Sequence, residues 1–265
     1  MAMAQAMTGK SQIKTQLTTR ELNAAKKEVS DACNVVAAAG LAELYTGHVS
    51  YRIGDIALIP AHLHHDGRGM ESMTPDQIIS VNLKTGEQNP KNLELPEEDT
   101  IHTSIFAVRE DVKSCVHAHP IHATALSMSS SALIPASIRA VRLGEVPVHD
   151  AGPMLIESNA PDVVAQGEAV AESLGDASAL LLRGHGVVTV GRTVAEAVSN
   201  LFILERAAHL QILANMAGGV VAYEGDPYEI ANHPENHPEI QGHPEKPSED
   251  AYKFLRNQYY QTYTE

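Results

Sequence analysis

The chain has 265 residues, a formal net charge of −14, 14 histidines, two cysteines and no tryptophan. That length allows one large domain or two small ones, and the acidic balance, with three phenylalanines and no tryptophan to stack bases, argues against a nucleic-acid partner. No run of about 20 apolar residues is present to span a membrane, the start Met-Ala-Met-Ala-Gln-Ala-Met lacks the apolar core of a secretory signal, and Cys33 and Cys115, both in apolar surroundings, are too few for a disulfide framework, which points to inert thiols in a reducing cytoplasm.

Residues 1–17 read as a flexible tail. A helix is expected over 20–39, capped by Thr18 or Thr19 and ended by Gly40, with Leu22, Val29, Cys33, Val36 and Ala37 on one face. Thr46-Gly47-His48-Val49-Ser50 leads into a strand, and a turn at Gly54-Asp55 joins it to a second strand, Ile56–Pro60. Residues 61–72 are polar and irregular. Thr74-Pro75-Asp76 starts a helical turn before a strand over 78–83. After a turn at Lys84-Thr85-Gly86, a helix is expected from Pro96 to Val108, then a strand from Ser114 to His119 and a helix from Pro120 to Met128. One or two short strands fall in 145–157, and a helix in 161–174. Strands 179–182 and 187–190 meet at Arg183-Gly184-His185-Gly186, and Thr193 caps a long helix over 194–216 that Gly218-Gly219 ends. Helices alternate with strands but hairpins break the parallel pattern, so a layered α/β domain over 18–220 fits best.

Residues 221–265 read as a separate arm rich in histidine and proline. His-Pro-Glu occurs three times in 233–245, where proline forbids regular structure, and the arm reads as an extended segment over solvent or a neighbouring subunit rather than a metal tract. The four tyrosines from Tyr252 to Tyr263 suit a short docking helix.

The chemistry concentrates in Val116-His117-Ala118-His119-Pro120. Histidines at i and i+2 on a strand point to one face and can chelate one metal ion, and neutral imidazole suits zinc, manganese or iron(II). His185, between two glycines, suits a ligand at a strand end or an exposed histidine in a hairpin turn. Glu98 stands four residues before His102, as a helical surface pair would, and Glu97, Glu98 and Asp99 complement a helix N-terminus.

Gly47-His48-Val49-Ser50, Glu98 with His102, His117-Ala118-His119-Pro120 and Gly184-His185-Gly186 stand in the order and approximate spacing of the class II aldolase/adducin family. The chain resembles that family over residues 20–217. The resemblance implies a three-layer α/β/α domain with a mixed, largely antiparallel central sheet. It implies a homotetramer with sites at subunit interfaces. It assigns His117, His119 and His185 to a divalent metal (zinc, manganese or iron) and makes Glu98 the catalytic acid/base, a metal ligand when substrate is absent. Adducins share the fold without the metal histidines, so the three present here disfavour a non-catalytic assembly module.

Such a metal, as a Lewis acid, would stabilise the enolate left when a carbon–carbon bond breaks, with Glu98 moving the proton; whether its environment raises the Glu98 pKa is not legible in the sequence. Sugar-phosphate aldolases of the family hold phosphate with Gly-Asn in the first loop and Ser-Ser before the glutamate; this chain has Gly47-His48 and Pro96-Glu97. The departure turns the expectation toward decarboxylation of a hydroxylated aromatic or heteroaromatic acid, with aldol cleavage of a hydroxy-carbonyl substrate and iron(II)-dependent oxygenation as alternatives. In that branch Gly47, His48, Ser50 and Arg68 would contact substrate, with His48 also catalytic, and His62, His64, His65, Arg139 and Arg142 are further polar candidates.

Overall fold

A computed structural model describes residues 17–63, 67–137, 139–150, 163–222 and 246–260. Helix α1 (Thr19–Ala38) opens on a reciprocal cap, in which the Glu21 amide donates to the Thr18 hydroxyl and the Thr18 amide to the Glu21 carboxylate, at 3.2 and 2.8 Å. Strands β1 (His48–Ile53) and β2 (Ile56–Pro60) form the expected hairpin. A single 3-10 turn at Pro75–Gln77 precedes β3 (Ile78–Asn82), and β4 (Gln88–Asn89) is a short strand with no signal in the sequence. Then come α2 (Asp99–Val108), β5 (Ser114–Ala118), α3 (Ile121–Ser127), β6 (Val148–His149), α4 (Val163–Leu174), β7 (Ala179–Leu182), β8 (Gly186–Gly191) and α5 (Val194–Met216). Thr193 caps α5 through the Glu196 amide at 3.0 Å.

One expected boundary moves with consequence. Helix α2 starts at Asp99, not Pro96, so Glu98 is its N-cap residue and lies outside the helix. Glu98 and His102 therefore do not form a surface pair on one helical face. His102 is fully buried instead.

The eight strands run in the order β4-β3-β2-β1-β5-β8-β7-β6, and every neighbouring pair is antiparallel except β6–β7. Register fixes the layers. Ser50 is opposite Cys115, and Val116, the next residue, is opposite Thr189, so Ser50 and Thr189 point to opposite faces. The Ser50 hydroxyl lies 2.7 Å from His102 on α2, whereas the Thr189 hydroxyl donates to Ala197 O on α5 at 2.9 Å. Helices α2 and α4, packed together, thus cover one face, and α1 with α5 covers the other. The core between the layers is aliphatic, with Leu58, Ile79, Leu181, Val188 and Leu201 at 0% exposure. This is the expected three-layer α/β/α domain. No helix among the described residues is long and apolar enough to cross a membrane.

Within the expected C-terminal arm, helix α6 (Lys246–Leu255) and a π-helical turn (Arg256–Tyr260) pack on α1 and α5 of the same chain. Leu255 is buried, the Ser199 hydroxyl donates to Ser248 O at 3.0 Å, and Arg256 reaches the buried Asp31 carboxylate at 2.9 Å. The His-Pro-Glu repeats, Tyr263 and the expected strand beyond 150 lie outside the described residues.

Helices α2 and α4 approach closely because Gly167 has no side chain. A Cβ there would sit 2.5 Å from the Thr100 carbonyl oxygen and 2.7 Å from its carbon, backbone atoms that cannot rotate away. Gly167→Ala is expected to lower unfolding stability by about 1–3 kcal/mol through overpacking, measured by urea denaturation.

Candidate metal centre

Antiparallel pairing brings three chain segments to one end of the sheet. The start of β1 lies beside the end of β5, since His48 pairs with His117. The start of β8 lies on the other side of β5, since Val188 pairs with His117. Thus the β1 start, the β5 end and the β7–β8 turn converge, and Glu98 arrives from the α2 start above the same face. Atoms of Glu98, His117, His119 and His185 all lie within 4.8 Å of one another. His185 is in a hairpin turn, as one reading expected, yet the turn is part of the cluster. It is pinned by α3: the Gly184 amide donates to the Ser127 hydroxyl and Arg183 to the Ser127 carbonyl, both at 3.0 Å.

Hydrogen bonds behind the histidines aim them. His117 Nδ1 is 3.0 Å from Val187 O, a pure acceptor, so Nδ1 carries the proton and Nε2 a lone pair. His119 Nδ1 is 2.8 Å from the Thr46 hydroxyl. That hydroxyl gives its own proton to Glu43 O at 2.5 Å, so it accepts from His119 Nδ1 and leaves a second bare Nε2. The two Nε2 atoms stand 3.0 Å apart. Two facing lone pairs at that distance repel unless a proton or a cation lies between them. Glu98 Oε2 is 3.2 Å from His117 Nε2, and Oε1 is 2.9 Å from His185 Nε2. Three imidazoles and a carboxylate, with His117 and His119 oriented by partners on their far sides, are a donor set that suits a divalent cation. The residues fit the ion on geometry as well as on type.

The electrostatics favour positive charge at the cluster: burial alone would lower His117, but the charge and hydrogen bond of Glu98 outweigh it and raise it. Burial, with His117 and His185 nearby, pushes His119 down to about 3, so it is neutral at physiological pH, as a ligand must be. Burial alone would raise the Glu98 carboxyl, but the charge and hydrogen bonds of His117 and the hydrogen bond of His185 outweigh it and hold Glu98 far below the usual carboxylate range. The direction of the Glu98 shift, which the sequence left open, is downward. His48 is pushed down to about 4, mainly by burial. Its ring stacks toward His117 at 6.0 Å between centroids and meets His102 edge to face at 5.8 Å.

The other expected contacts divide. Gly47 has φ +101°, and a Cβ there would come within 2.8 Å of Met70 Sδ and 3.2 Å of His117 O, so only glycine lets the chain pass this close to His117. Ser50 is fully buried, and its hydroxyl is taken by His102 Nδ1 at 2.7 Å and Cys115 O at 3.3 Å. As the third residue of β1 it points under α2. His62 is close enough to His48 for its charge to act there. Arg68 is half-buried and acts on Asp76. Arg139 and Arg142 are exposed, and His64 and His65 lie outside the described residues. A cavity of about 850 Å³ lined by Leu133, Pro135, Val141, Leu143 and Leu174 includes none of these histidines. Sequence reasoning missed Thr46 and the Val187 carbonyl. Thr46 carries no metal-binding signature, and a backbone acceptor has no sequence signal at all.

Residues 27–212 match the model of the class II aldolase and adducin N-terminal domain family. A 3,4-dihydroxyphthalate decarboxylase of Arthrobacter keyseri is 30% identical over 207 residues, 74% of this chain and 81% of its own. An aldolase II superfamily protein of Pseudomonas syringae superposes with a TM-score of 0.72 at 24% identity, over 92% of this chain and 96% of its own. An L-fuculose-1-phosphate aldolase of Thermus thermophilus does so with a TM-score of 0.60 at 28% identity, over 75% and 97%.

The orienting bonds make a testable claim. Thr46→Val keeps the shape but removes the acceptor for His119 Nδ1. It is expected to weaken zinc or manganese binding about 10–100-fold, as loss of a ligand's outer partner does, read by competition with a chromophoric chelator.

Proposed function

The chain belongs to the class II aldolase and adducin family, and from that premise we propose that it is a metal-dependent carbon–carbon lyase that decarboxylates a hydroxylated aromatic acid. The observation that carries the metal is the pair of bare Nε2 atoms of His117 and His119, 3.0 Å apart, with Glu98 and His185 closing the set. When bound, a divalent ion supplies Lewis-acid stabilisation of the negative charge left by bond cleavage. Zinc, manganese and iron(II) all suit three imidazoles and a carboxylate.

The residues then divide the work. Glu98, ionised at neutral pH, starts as a base: it takes the proton of the substrate hydroxyl beside the carboxyl group. Glu98 then delivers that proton to the ring carbon that bears the carboxylate, the bond to the carboxylate carbon breaks, carbon dioxide leaves, and its bonding electrons restore the aromatic ring. Neutral His48 donates a hydrogen bond to the substrate carboxylate, and Gly47 holds the chain that carries it. Arg68 is the candidate second contact for an anionic group.

Two observations favour decarboxylation over aldol cleavage. The curated relative with 30% identity is a decarboxylase of an aromatic dihydroxy acid. Pro96 and Glu97 stand where the family's aldolases offer hydroxyls to phosphate, and Glu97 is an exposed carboxylate that would repel it. The aldolase reading keeps support from the similarity to the fuculose-phosphate enzyme. We also propose a homotetramer. The exposed Ile121 of α3, Met128 just after it, and Leu210, Leu213 and Met216 of α5, on a packed pair of helices, support burial against other copies. The free, buried Cys33 and Cys115 support a cytoplasmic location.

Incubation with a dihydroxylated aromatic acid should release one carbon dioxide per turnover, cease on chelation and resume on adding metal. His117→Ala should lose both bound metal and turnover; full retention of either defeats the proposal. Turnover that continues unchanged without oxygen is expected and separates the lyase from an iron(II) oxygenase. Light scattering should give the mass of four chains.

A further inference from the structure

Of the three imidazoles in the cluster, His185 is held differently. His117 and His119 each spend Nδ1 on a partner behind them, Val187 O at 3.0 Å and the Thr46 hydroxyl at 2.8 Å. His185 Nδ1 is buried and has no hydrogen-bond partner among the described residues. The place of this ring therefore comes from the turn that carries it, Arg183-Gly184-His185. Within the turn the His185 amide donates to Leu182 O at 3.0 Å, and Gly184 has φ +68°. A glycine turn is permissive by itself and needs a hold from outside to aim a ligand.

Helix α3 supplies that hold. Ser127, 1% exposed, is its last residue. The Ser127 hydroxyl gives its one proton to Thr124 O at 2.7 Å, so a lone pair is left to accept from the Gly184 amide at 3.0 Å. Arg183 adds a second grip. Its guanidinium donates to Ser127 O at 3.0 Å and Ser129 O at 3.3 Å, and meets the Asp150 carboxylate at 2.6 Å. The two residues before His185 are thus bonded to the end of α3. The start of α3 is fixed as well. Only Pro120 separates it from His119, and the Glu205 carboxylate of α5 accepts from the His122 amide at 3.1 Å and the Ala123 amide at 2.9 Å. One short helix therefore runs from one ligand to the support of another. We propose, on the reading of the cluster as a metal centre, that Ser127 and Arg183 are positioning residues: α3 is a strut that sets His185 Nε2 relative to His119. It does through the backbone what Val187 and Thr46 do for the other two rings directly.

Zinc affinity of the full chain, read by competition with a chromophoric chelator, and the visible spectrum of its cobalt(II) form report on the site without turnover. Ser127→Ala releases the Gly184 amide. It is expected to weaken zinc binding about tenfold, the lower end of what loss of an outer partner costs, and to move the cobalt spectrum toward that of His185→Ala. The deciding arm is the double variant. His185→Ala keeps Glu98, His117 and His119 as donors. Adding Ser127→Ala to it should change zinc affinity by less than about twofold, because Ser127 acts through His185. Two full, additive losses overturn the proposal, since they mean a general loosening of the fold. A parent-like affinity and cobalt spectrum in Ser127→Ala overturn it too. Should Ser127→Ala fold poorly, Arg183→Met is the second arm, at a side chain 39% exposed. It removes the bonds to both carbonyls, should lower zinc affinity in the same direction, and should have no further effect in His185→Ala. A parent chain that binds neither zinc nor cobalt defeats the metal reading itself. Failure of the strut alone looks different: the parent binds, and the Ser127 and Arg183 variants match it.

Discussion

Everything around the site depends on the repulsion between two lone pairs. His117 and His119 spend their Nδ1 protons outward, on the Val187 carbonyl and the Thr46 hydroxyl, and so point two bare Nε2 atoms at each other across 3.0 Å. Each outward bond comes from a different part of the fold. Val187 is the second residue of the neighbouring strand β8, and Thr46 belongs to the loop before β1. The sheet must therefore hold β1, β5 and β8 in one register for the cluster to exist. A slip of one residue in β5 would turn both imidazoles to the α5 face.

The same register explains the glycines at the cluster. A side chain at Gly186 would collide with the His119 ring and the Ala118 carbonyl. A side chain at Gly47 would press on Met70 and the His117 carbonyl. Both positions let backbone lie against a ligand strand, and neither glycine contributes a functional group. The stability of the domain and the geometry of its site thus share the packing of three central strands. Glu98 completes the set because α2 begins one residue after it, which frees its side chain from the helix and directs it at the histidines.

The chemistry follows from charge as much as from geometry. Four imidazole rings, of His48, His117, His119 and His185, surround one carboxylate, and the carboxylate stays ionised despite burial. Glu98 is thereby ionised among the histidines, while His48, His102 and His119 are kept neutral by burial. Neutral imidazoles can ligate, donate and accept; cationic ones could not ligate. Pro96 and the exposed carboxylate of Glu97 stand where the resemblance places the family's phosphate-binding hydroxyls.

Much of this was legible in the chain. Period-two and helical spacing located nearly every element, because each buries one face and the pattern is local. The three histidines and Glu98 were legible through their motifs, although each motif alone had an ordinary structural reading. What the sequence could not give was partnership across distance. The Glu98–His102 spacing suggested a helical surface pair, but the helix begins between them, and His102 turns inward to Ser50, 52 residues earlier. Ser50 sat in a motif that looked like substrate contact and is core. Thr46 and the Val187 carbonyl had no signal, since a hydrogen bond that sets a tautomer depends on where two strands meet. Residue types and their order determined which atoms were available. Only the antiparallel register decided which of those atoms face one another, and therefore which lone pairs are left for a metal.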